Sequence, residues 1–204
     1  GDFYDFLQLD NKRIGILIAD VTGHGIPAAL ISSMVKIAYY MSFESLTDPA
    51  ALLEKMNSSL IDHIYGRFIT AFYAFIDLQE MKMTFSNAAH WPMYLHNKEN
   101  GELRELTVKG KLIGLNRDEK YSNVTIDIQN GERLVFFTDG LVEERGANGE
   151  LFDEKNLEQI IKDNPSLSPD ELLDTIFGSL YSWSGNYKQS GLEDDATMLI
   201  IDIG

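Results

Sequence analysis

The chain has 204 residues, 44% hydrophobic and 24% charged, a composition typical of one globular domain, and we predict a single domain over residues 1–204, excised from a longer regulatory protein. It contains no cysteine, which excludes a disulfide framework, a thiolate zinc site and a cysteine-nucleophile phosphatase. The 32 acidic against 17 basic residues give a net charge of -15, which disfavours binding to nucleic acid or to an anionic membrane surface. Most of these acids would form a solubilising surface, and some could form a cation site.

No apolar run approaches the roughly 20 residues that a membrane helix needs, and the first residues lack the order of a secretory signal. We therefore expect a soluble, cytoplasmic domain without direct membrane insertion, whose parent protein could be membrane-anchored.

The first predicted elements are a buried strand and two helices. Residues 13–20 (RIGILIAD) form a nearly unbroken apolar run that is typical of a strand buried on both faces. A helix is predicted from Pro27 to about Phe43, with apolar residues on two faces, so it should be covered on more than one side. Asp48 and the proline after it predict the start of a second helix over residues 49–65.

The middle of the chain changes to a period of two, which predicts antiparallel strands. The predicted strands are residues 69–78, 81–88, 93–96, 103–107, 124–128 and 133–138, and the short turns between the first three indicate a meander. Two further helices follow Gly149, the second opened by a capping box between Ser168 and Glu171. A strand at 196–203 closes the chain. Strands in a run, with helix pairs before and after, favour an α+β fold with antiparallel sheets covered by helices.

Acidic residues stand at the edges of several predicted strands, in GDFYD at 1–5, IADVTGHG at 18–25, FFTDGLVEE at 136–144 and GLEDDATM at 191–198. Strand ends converge readily, so Asp20 and Asp139 could project into one cleft. Carboxylates without cysteine favour Mg²⁺ or Mn²⁺ over zinc. Two such ions could polarise a phosphoryl oxygen and activate water as the nucleophile. The plainer interpretation of each aspartate beside a glycine is a turn cap.

These stretches, together with NAAHWPMYL at 87–95 and EDDATMLIIDI at 193–203, resemble the PPM-type metal-dependent protein serine/threonine phosphatases, in their bacterial SpoIIE/RsbU branch. The resemblance runs in order over essentially the whole chain. It implies an antiparallel β-sandwich flanked by helical pairs, with two ions, Mn²⁺ or Mg²⁺, at one end.

Carried over by motif, the resemblance implies that Asp2 binds one metal, that Asp20 bridges both and that the Val21 carbonyl adds a ligand. Asp139 and Asp194 would complete the other site. The neighbouring Asp195 would turn away or support from behind, although the double aspartate leaves open which of the two ligates.

Several other residues are weaker candidates. Asp5 and Glu143 could support the ligands or hold a further ion. Arg67 and Arg145 could bind substrate phosphate, but a surface role is the simpler interpretation. His24 is expected to pack or to form local hydrogen bonds behind the metal loop, and His90 to be a structural loop residue. The family usually has glycine where this chain has Ala89, which should cost backbone freedom rather than chemistry.

The resemblance implies hydrolysis of phosphoserine or phosphothreonine on a regulatory partner, commonly a STAS-type anti-sigma-factor antagonist. An upstream sensor domain or a homodimer contact could act through the two helices that follow Asp20. Two alternatives stay open: a catalytically idle domain that only binds such a partner, and a hydrolase of nucleotides or small phosphate esters. The chain lacks a GxxxxGK[ST] phosphate loop, which counts against nucleotides.

Overall fold

The computed structural model describes residues 1–184 and 191–204. These residues form two compact units. The first unit comprises 1–90 and 107–128, and the second comprises 91–106 and 129–204. Among the described residues, no helix is long and apolar enough to cross a membrane.

The first unit contains a five-stranded antiparallel sheet. Its strands are β1 (Phe3–Gln8), β2 (Arg13–Val21), β3 (Ile69–Asp77), β4 (Lys82–Ala88) and β7 (Val124–Asp127). They lie side by side in the order β1-β2-β3-β4-β7. The predicted strand at residues 13–20 is confirmed as β2. It lies between β1 and β3, and residues 15–19 are buried on both faces. The sequence prediction did not identify β1.

Two helices pack in the first unit: α1 (Ile26–Met41), followed by a short 3₁₀ turn (Phe43–Ser45), and α2 (Pro49–Leu60). The Asp48 side chain accepts a hydrogen bond from the N–H of Ala51 at 3.2 Å, so the predicted N-cap is confirmed. The helix ends five residues earlier than predicted. Tyr65 and Gly66 adopt positive φ angles of 51° and 75°, which a continuing helix does not allow.

Only one face of α1 is buried. Ala28, Ile31, Val35, Ala38 and Tyr39 face the core. The other predicted apolar face, which contains Leu30 and Ile37, is largely exposed, with 63% of Leu30 and 60% of Ile37 accessible. The prediction that this helix is covered on several sides is therefore wrong within the described residues, because apolar spacing alone does not say how many neighbours a helix has.

The predicted meander stops after β4. The next strand, β5 (Met93–Asn97), pairs with β6 (Leu103–Leu106) and β8 (Glu132–Phe137) and not with β4. Between β4 and β5, Ala89 adopts a left-handed φ of 55° and Asn87 holds the backbone of His90 through two hydrogen bonds of 2.7 and 2.9 Å. This turn redirects the chain out of the first sheet.

The second unit contains a sheet in the order β6-β5-β8-β9, with β9 at Met198–Asp202. Its helices are α3 (Asp139–Val142), α4 (Asp153–Asp163) and α5 (Pro169–Trp183). The predicted capping box at the start of α5 is confirmed: the Ser168 N–H donates to Glu171 at 2.9 Å and the Glu171 N–H donates back at 3.3 Å. Leu172, Ile176 and Leu180 bury the predicted stripe. The α+β prediction with antiparallel sheets is confirmed.

Candidate metal centre

The paired ends of β1 and β2 bring three predicted metal ligands into one neighbourhood. Phe3 pairs with Ala19, so residues 1 and 2 run beside residues 20 and 21. A Cβ on Gly1 would lie 2.3 Å from the carbonyl oxygen of Val21 and 2.8 Å from Oδ1 of Asp20. The Ser32 hydroxyl in α1 donates to the Gly1 carbonyl at 2.9 Å. Asp2 therefore follows a residue that lies directly against Asp20 and Val21.

The loop after Val21 is braced by an arginine. Nη1 of Arg67 donates to the Thr22 carbonyl at 2.7 Å, and a Cβ on Gly23 would lie 2.2 Å from the same nitrogen. Gly23 is needed here because its φ of 95° and the arginine leave no room for a side chain. Arg67 is thus half-buried and supports the loop. His24 is exposed, so it does not pack behind the loop, and the alternative of local hydrogen bonding stays a prediction.

His90 is a structural residue, as predicted. It is buried, and its Nδ1 lies 2.6 Å from Oγ1 of Thr70, the residue paired with Asp20 across β2 and β3. The adjacent Ala89 adopts a left-handed φ of 55°, a conformation that favours glycine over other residues. This turn supports the strand that carries Asp20 without presenting a reactive group.

In the second unit, Asp139 and Asp194 meet in a cleft of about 280 Å³. Asp139 begins α3 directly after β8, and Asp194 precedes β9. A Cβ on Gly140 would lie 2.0 Å from the carbonyl oxygen of Asp195 and 3.5 Å from Cβ of Asp194, so only glycine allows this approach. The lining is acidic apart from Gly140 and Arg145: Asp139, Gly140, Glu143, Glu144, Arg145, Glu193 and Asp194.

The electrostatics of this cleft favour a bound cation. Burial raises the pKa of the Asp139 carboxyl above its usual range, the N–H of Gly140 opposes that shift, and the negative charge of Asp194 adds to it. Burial likewise raises the pKa of Glu143, as do the charges of Asp139 and Asp194, whereas Arg145 lowers it. A cation that enters this cleft would relieve the repulsion that the neighbouring negative charges exert on Asp139 and Glu143.

The structure distinguishes Asp194 from its neighbour. Asp194 lines the cleft, whereas Asp195 does not, and the N–H of Asp195 donates to Oδ1 of Asp194 at 2.8 Å. Arg145 lies at the cleft, and its Nη1 donates to the Gly149 carbonyl at 3.1 Å. Asp5 has a different partner. It is the register partner of Leu17 across β1 and β2, and its carboxylate forms an ion pair with Lys36 of α1 at 3.3 Å.

The available donors fit a hard divalent ion. They are carboxylate and carbonyl oxygens, the ligands that Mg²⁺ and Mn²⁺ prefer. Within residues 1–184 and 191–204, no group of three or more His, Asp or Glu side chains is gathered closely enough to hold a metal. The described residues thus offer donors of suitable chemistry without a closely gathered ligand set.

The sequence prediction missed the residues that hold the Asp194 segment. Thr138 is buried, and its hydroxyl accepts a hydrogen bond from the N–H of Thr197 at 2.9 Å. Glu144 is buried as well and accepts bonds from Ser184 and from the N–H of Glu193. The only signal in the sequence was the second acid of the Glu143-Glu144 pair, which gives no indication of burial.

Comparison with known proteins identifies the class first. The SiaA-PP2C domain of Pseudomonas aeruginosa has the same fold, with a TM-score of 0.88 over 100% of this chain and 80% of that one at 22% identity. RsbX in complex with magnesium gives a TM-score of 0.67 over 97% of this chain and 85% of that one at 21% identity. The fold is therefore that of a PP2C phosphatase domain.

The family follows from the sequence match. The model of Stage II sporulation protein E (SpoIIE) matches residues 10–204, and the chain belongs to this family. Phosphoserine phosphatase RsbU of Bacillus subtilis (strain 168) is 31% identical over 202 residues, which is 98% of this chain. The chain spans 58% of that relative's length.

Proposed function

We propose that this chain is the catalytic domain of a metal-dependent protein serine/threonine phosphatase, a phosphoric monoester hydrolase that acts on phosphoserine or phosphothreonine of a regulatory protein. The observation that carries the proposal is the meeting of Asp139 and Asp194 in an acidic cleft of a chain that belongs to the SpoIIE family. The absence of cysteine excludes a cysteinyl-phosphate intermediate, and the proposed nucleophile is a metal-activated water.

The proposed metal ligands are those that the family motifs imply. In the first unit they are Asp2, Asp20 and the Val21 carbonyl, and in the second they are Asp139 and Asp194, with Asp195 supporting. Two Mn²⁺ or Mg²⁺ ions held by such ligands would neutralise phosphoryl oxygens and lower the pKa of water. The chain's own part is to hold these carboxylates in place, with Gly140 and Gly23 allowing the close approaches.

The substrate is proposed to be a phosphorylated partner of the STAS-type anti-sigma-factor antagonist class. Support comes from the family and from the name of the 31% identical relative, which describes a phosphoserine phosphatase. The cleft is open and strongly acidic, and Arg145 is the basic residue among those that line it. We propose that Arg145 contacts the phosphate dianion, because a guanidinium offers planar, paired donors to phosphate oxygens.

A comparison of substrates tests the proposed activity. Phosphate release is measured with a serine-phosphorylated STAS protein, with nucleoside triphosphates and with a small aryl phosphate, each with Mn²⁺, Mg²⁺ or a chelator. We expect metal-dependent release that is fastest from the phosphoprotein. Release mainly from nucleotides would support the small-ester hydrolase instead. Binding of the phosphoprotein without release under any metal would support the idle partner-binding domain.

Single substitutions test the ligands. Asp20→Asn and Asp139→Asn should each abolish turnover and weaken Mn²⁺ binding, because an amide is a poor ligand for a hard cation compared with a carboxylate. Asp5→Asn is the matched control, since Asp5 pairs with Lys36. Equal activity of all three variants would contradict the proposed ligand set.

A further inference from the structure

The segment that carries Asp194 is held at both ends by the turn that carries Asp139. At one end, the Thr138 hydroxyl accepts from the N–H of Thr197 at 2.9 Å, and the Thr138 N–H donates to the Thr197 carbonyl at 3.0 Å. At the other end, a carboxylate oxygen of Glu144 accepts from the N–H of Glu193 at 2.9 Å. Between these ends, Gly140 lies against Asp195.

Glu144 is unusual among the acids of this cleft because it is buried, with only 2% of its surface accessible. A buried carboxylate is costly unless hydrogen bonds replace its water. Both of its oxygens have such partners: one accepts from the Ser184 hydroxyl at the end of α5 and the other from Glu193. Its backbone is fixed too, since its carbonyl accepts from the N–H of Phe152 at 2.9 Å.

We propose that Glu144 is a positioning residue that fixes the position of Asp194 relative to Asp139. This role depends on the length of its side chain, which lets it accept both hydrogen bonds, and not on its charge. It joins three elements: the turn after β8, the end of α5 and the start of the Asp194 segment. Each of its oxygens accepts a hydrogen bond, one from Ser184 and one from Glu193, so its proposed action on Asp194 runs through Glu193. This proposal rests on the proposed function only in assigning Asp139 and Asp194 as ligands.

Two conservative variants separate the effect of side-chain length from the effect of charge. Glu144→Gln removes the charge but keeps the length: its amide oxygen can accept from Glu193, and its amino group can donate to the Ser184 hydroxyl. Glu144→Asp keeps the charge but is one methylene shorter, so it cannot reach both partners. If Glu144 positions Asp194, the glutamine variant should behave like the wild type and the aspartate variant should not. Glu99→Asp, on an exposed turn of the same unit, is the matched control.

The first measurement is Mn²⁺ binding by calorimetry. Loss of groups that orient metal ligands typically weakens metal affinity about 10- to 100-fold, and we expect a weakening of that size for Glu144→Asp. Glu144→Gln should stay within about threefold of the wild type, which is below the roughly tenfold lower limit of that effect. In turnover assays the aspartate variant should need more Mn²⁺ but approach the wild-type rate at saturation.

The second measurement uses the metal-free protein and no substrate. Amide hydrogen exchange at Glu193 should be faster in Glu144→Asp than in the wild type, Glu144→Gln or Glu99→Asp, because its N–H loses its acceptor. This result does not depend on phosphatase activity, so the positioning role can stand or fall separately from the proposed function. If Glu144→Asp does not fold, Ser184→Ala, which removes only the α5 arm, should also raise exchange at Glu193.

Two results would overturn the proposal. If Glu144→Asp has the Mn²⁺ affinity of the wild type and the same rate of amide hydrogen exchange at Glu193, the length of the side chain does not matter. Weaker affinity in Glu144→Gln than in Glu144→Asp would show that charge matters instead. General destabilisation is controlled by Ile161→Val in the core of α4, which should lower stability by about 1 kcal/mol without changing Mn²⁺ affinity.

Discussion

Gly140 lies so close to Asp195 that a Cβ at residue 140 would be 2.0 Å from the Asp195 carbonyl oxygen. This contact links the residue after one proposed ligand, Asp139, to the residue after another, Asp194. Because backbone lies on both sides of the contact, the clash cannot be relieved by rotating a side chain. The separation of the two proposed ligands therefore depends on glycine at residue 140, which has no side chain.

Gly140→Ala should weaken Mn²⁺ binding and lower the free energy of unfolding by about 1–3 kcal/mol, the usual cost of overpacking. The matched control is Gly178→Ala inside α5, where a Cβ would meet nothing within 4 Å. That change should raise the free energy of unfolding by about 0.5–1 kcal/mol, because alanine is the better helix former. Urea denaturation and calorimetry check both, and a Gly140→Ala protein with wild-type stability would contradict the close approach.

Asp194→Asn should lower phosphatase turnover far more than Asp195→Asn. Asp194 lines the cleft with Asp139, whereas Asp195 does not. We expect a loss of about 100-fold or more for the first, since removing a ligand should exceed the 10- to 100-fold effect of its supporting groups. The loss for the second should be about tenfold or less on the same scale. The reverse order in a phosphate-release assay would assign Asp195 as the ligand.

Ala89→Gly should stabilise the protein. Ala89 has a φ of 55°, and the left-handed region costs an L-residue roughly 1–2 kcal/mol, which is partly offset by the greater chain entropy of unfolded glycine. We expect a net gain of up to about 1 kcal/mol in thermal or urea denaturation. The adjacent Ala88→Gly, in a buried strand position, is the control and should be destabilising. A loss of stability in Ala89→Gly would show that the turn is not strained.

The second unit should lose stability as the pH falls below about 6.5, the ordinary pKa of histidine. His96 is buried opposite Arg133 across β5 and β8, and neither of its ring nitrogens has a hydrogen-bond partner among the described residues. Burial lowers its pKa, and the charges of Arg133, Lys98 and Lys162 lower it further. The folded state therefore favours neutral His96. The free energy of unfolding is highest above the unfolded pKa of His96, and it decreases as the pH drops from there through the folded pKa.

His96→Leu should flatten the fall in the free energy of unfolding between pH 7.5 and pH 5, measured by urea denaturation. Parallel curves for the variant and the wild type would rule out His96 as the source.

A separate loss of stability is expected at lower pH. The hydrogen bond from Arg133 is the main cause of the lowered pKa of Asp202. That carboxylate therefore stabilises the fold fully above its ordinary pKa of about 3.9, and the stabilisation is lost as the pH falls from there through its lower folded pKa.

Local patterns predicted most of the secondary structure. The β2 run, the strands of period two, the Asp48 cap and the Ser168–Glu171 capping box are set by residues close in sequence. They were confirmed within one or two residues at most boundaries, and the α+β class followed from their order. The single domain over residues 1–204 remains a prediction.

The amino-acid sequence by itself determined the type of chemistry on offer: oxygen ligands at strand ends, no thiol, and an order of motifs that belongs to the SpoIIE family. Only the tertiary structure decided which strands pair, that one apolar face of α1 is exposed, that Arg67 supports the loop after Val21, and that Glu144 is buried behind Asp194. The physical reason is that strand pairing, burial and close backbone approach depend on contacts between residues far apart in the chain. A pattern read along one segment contains no information about its partner.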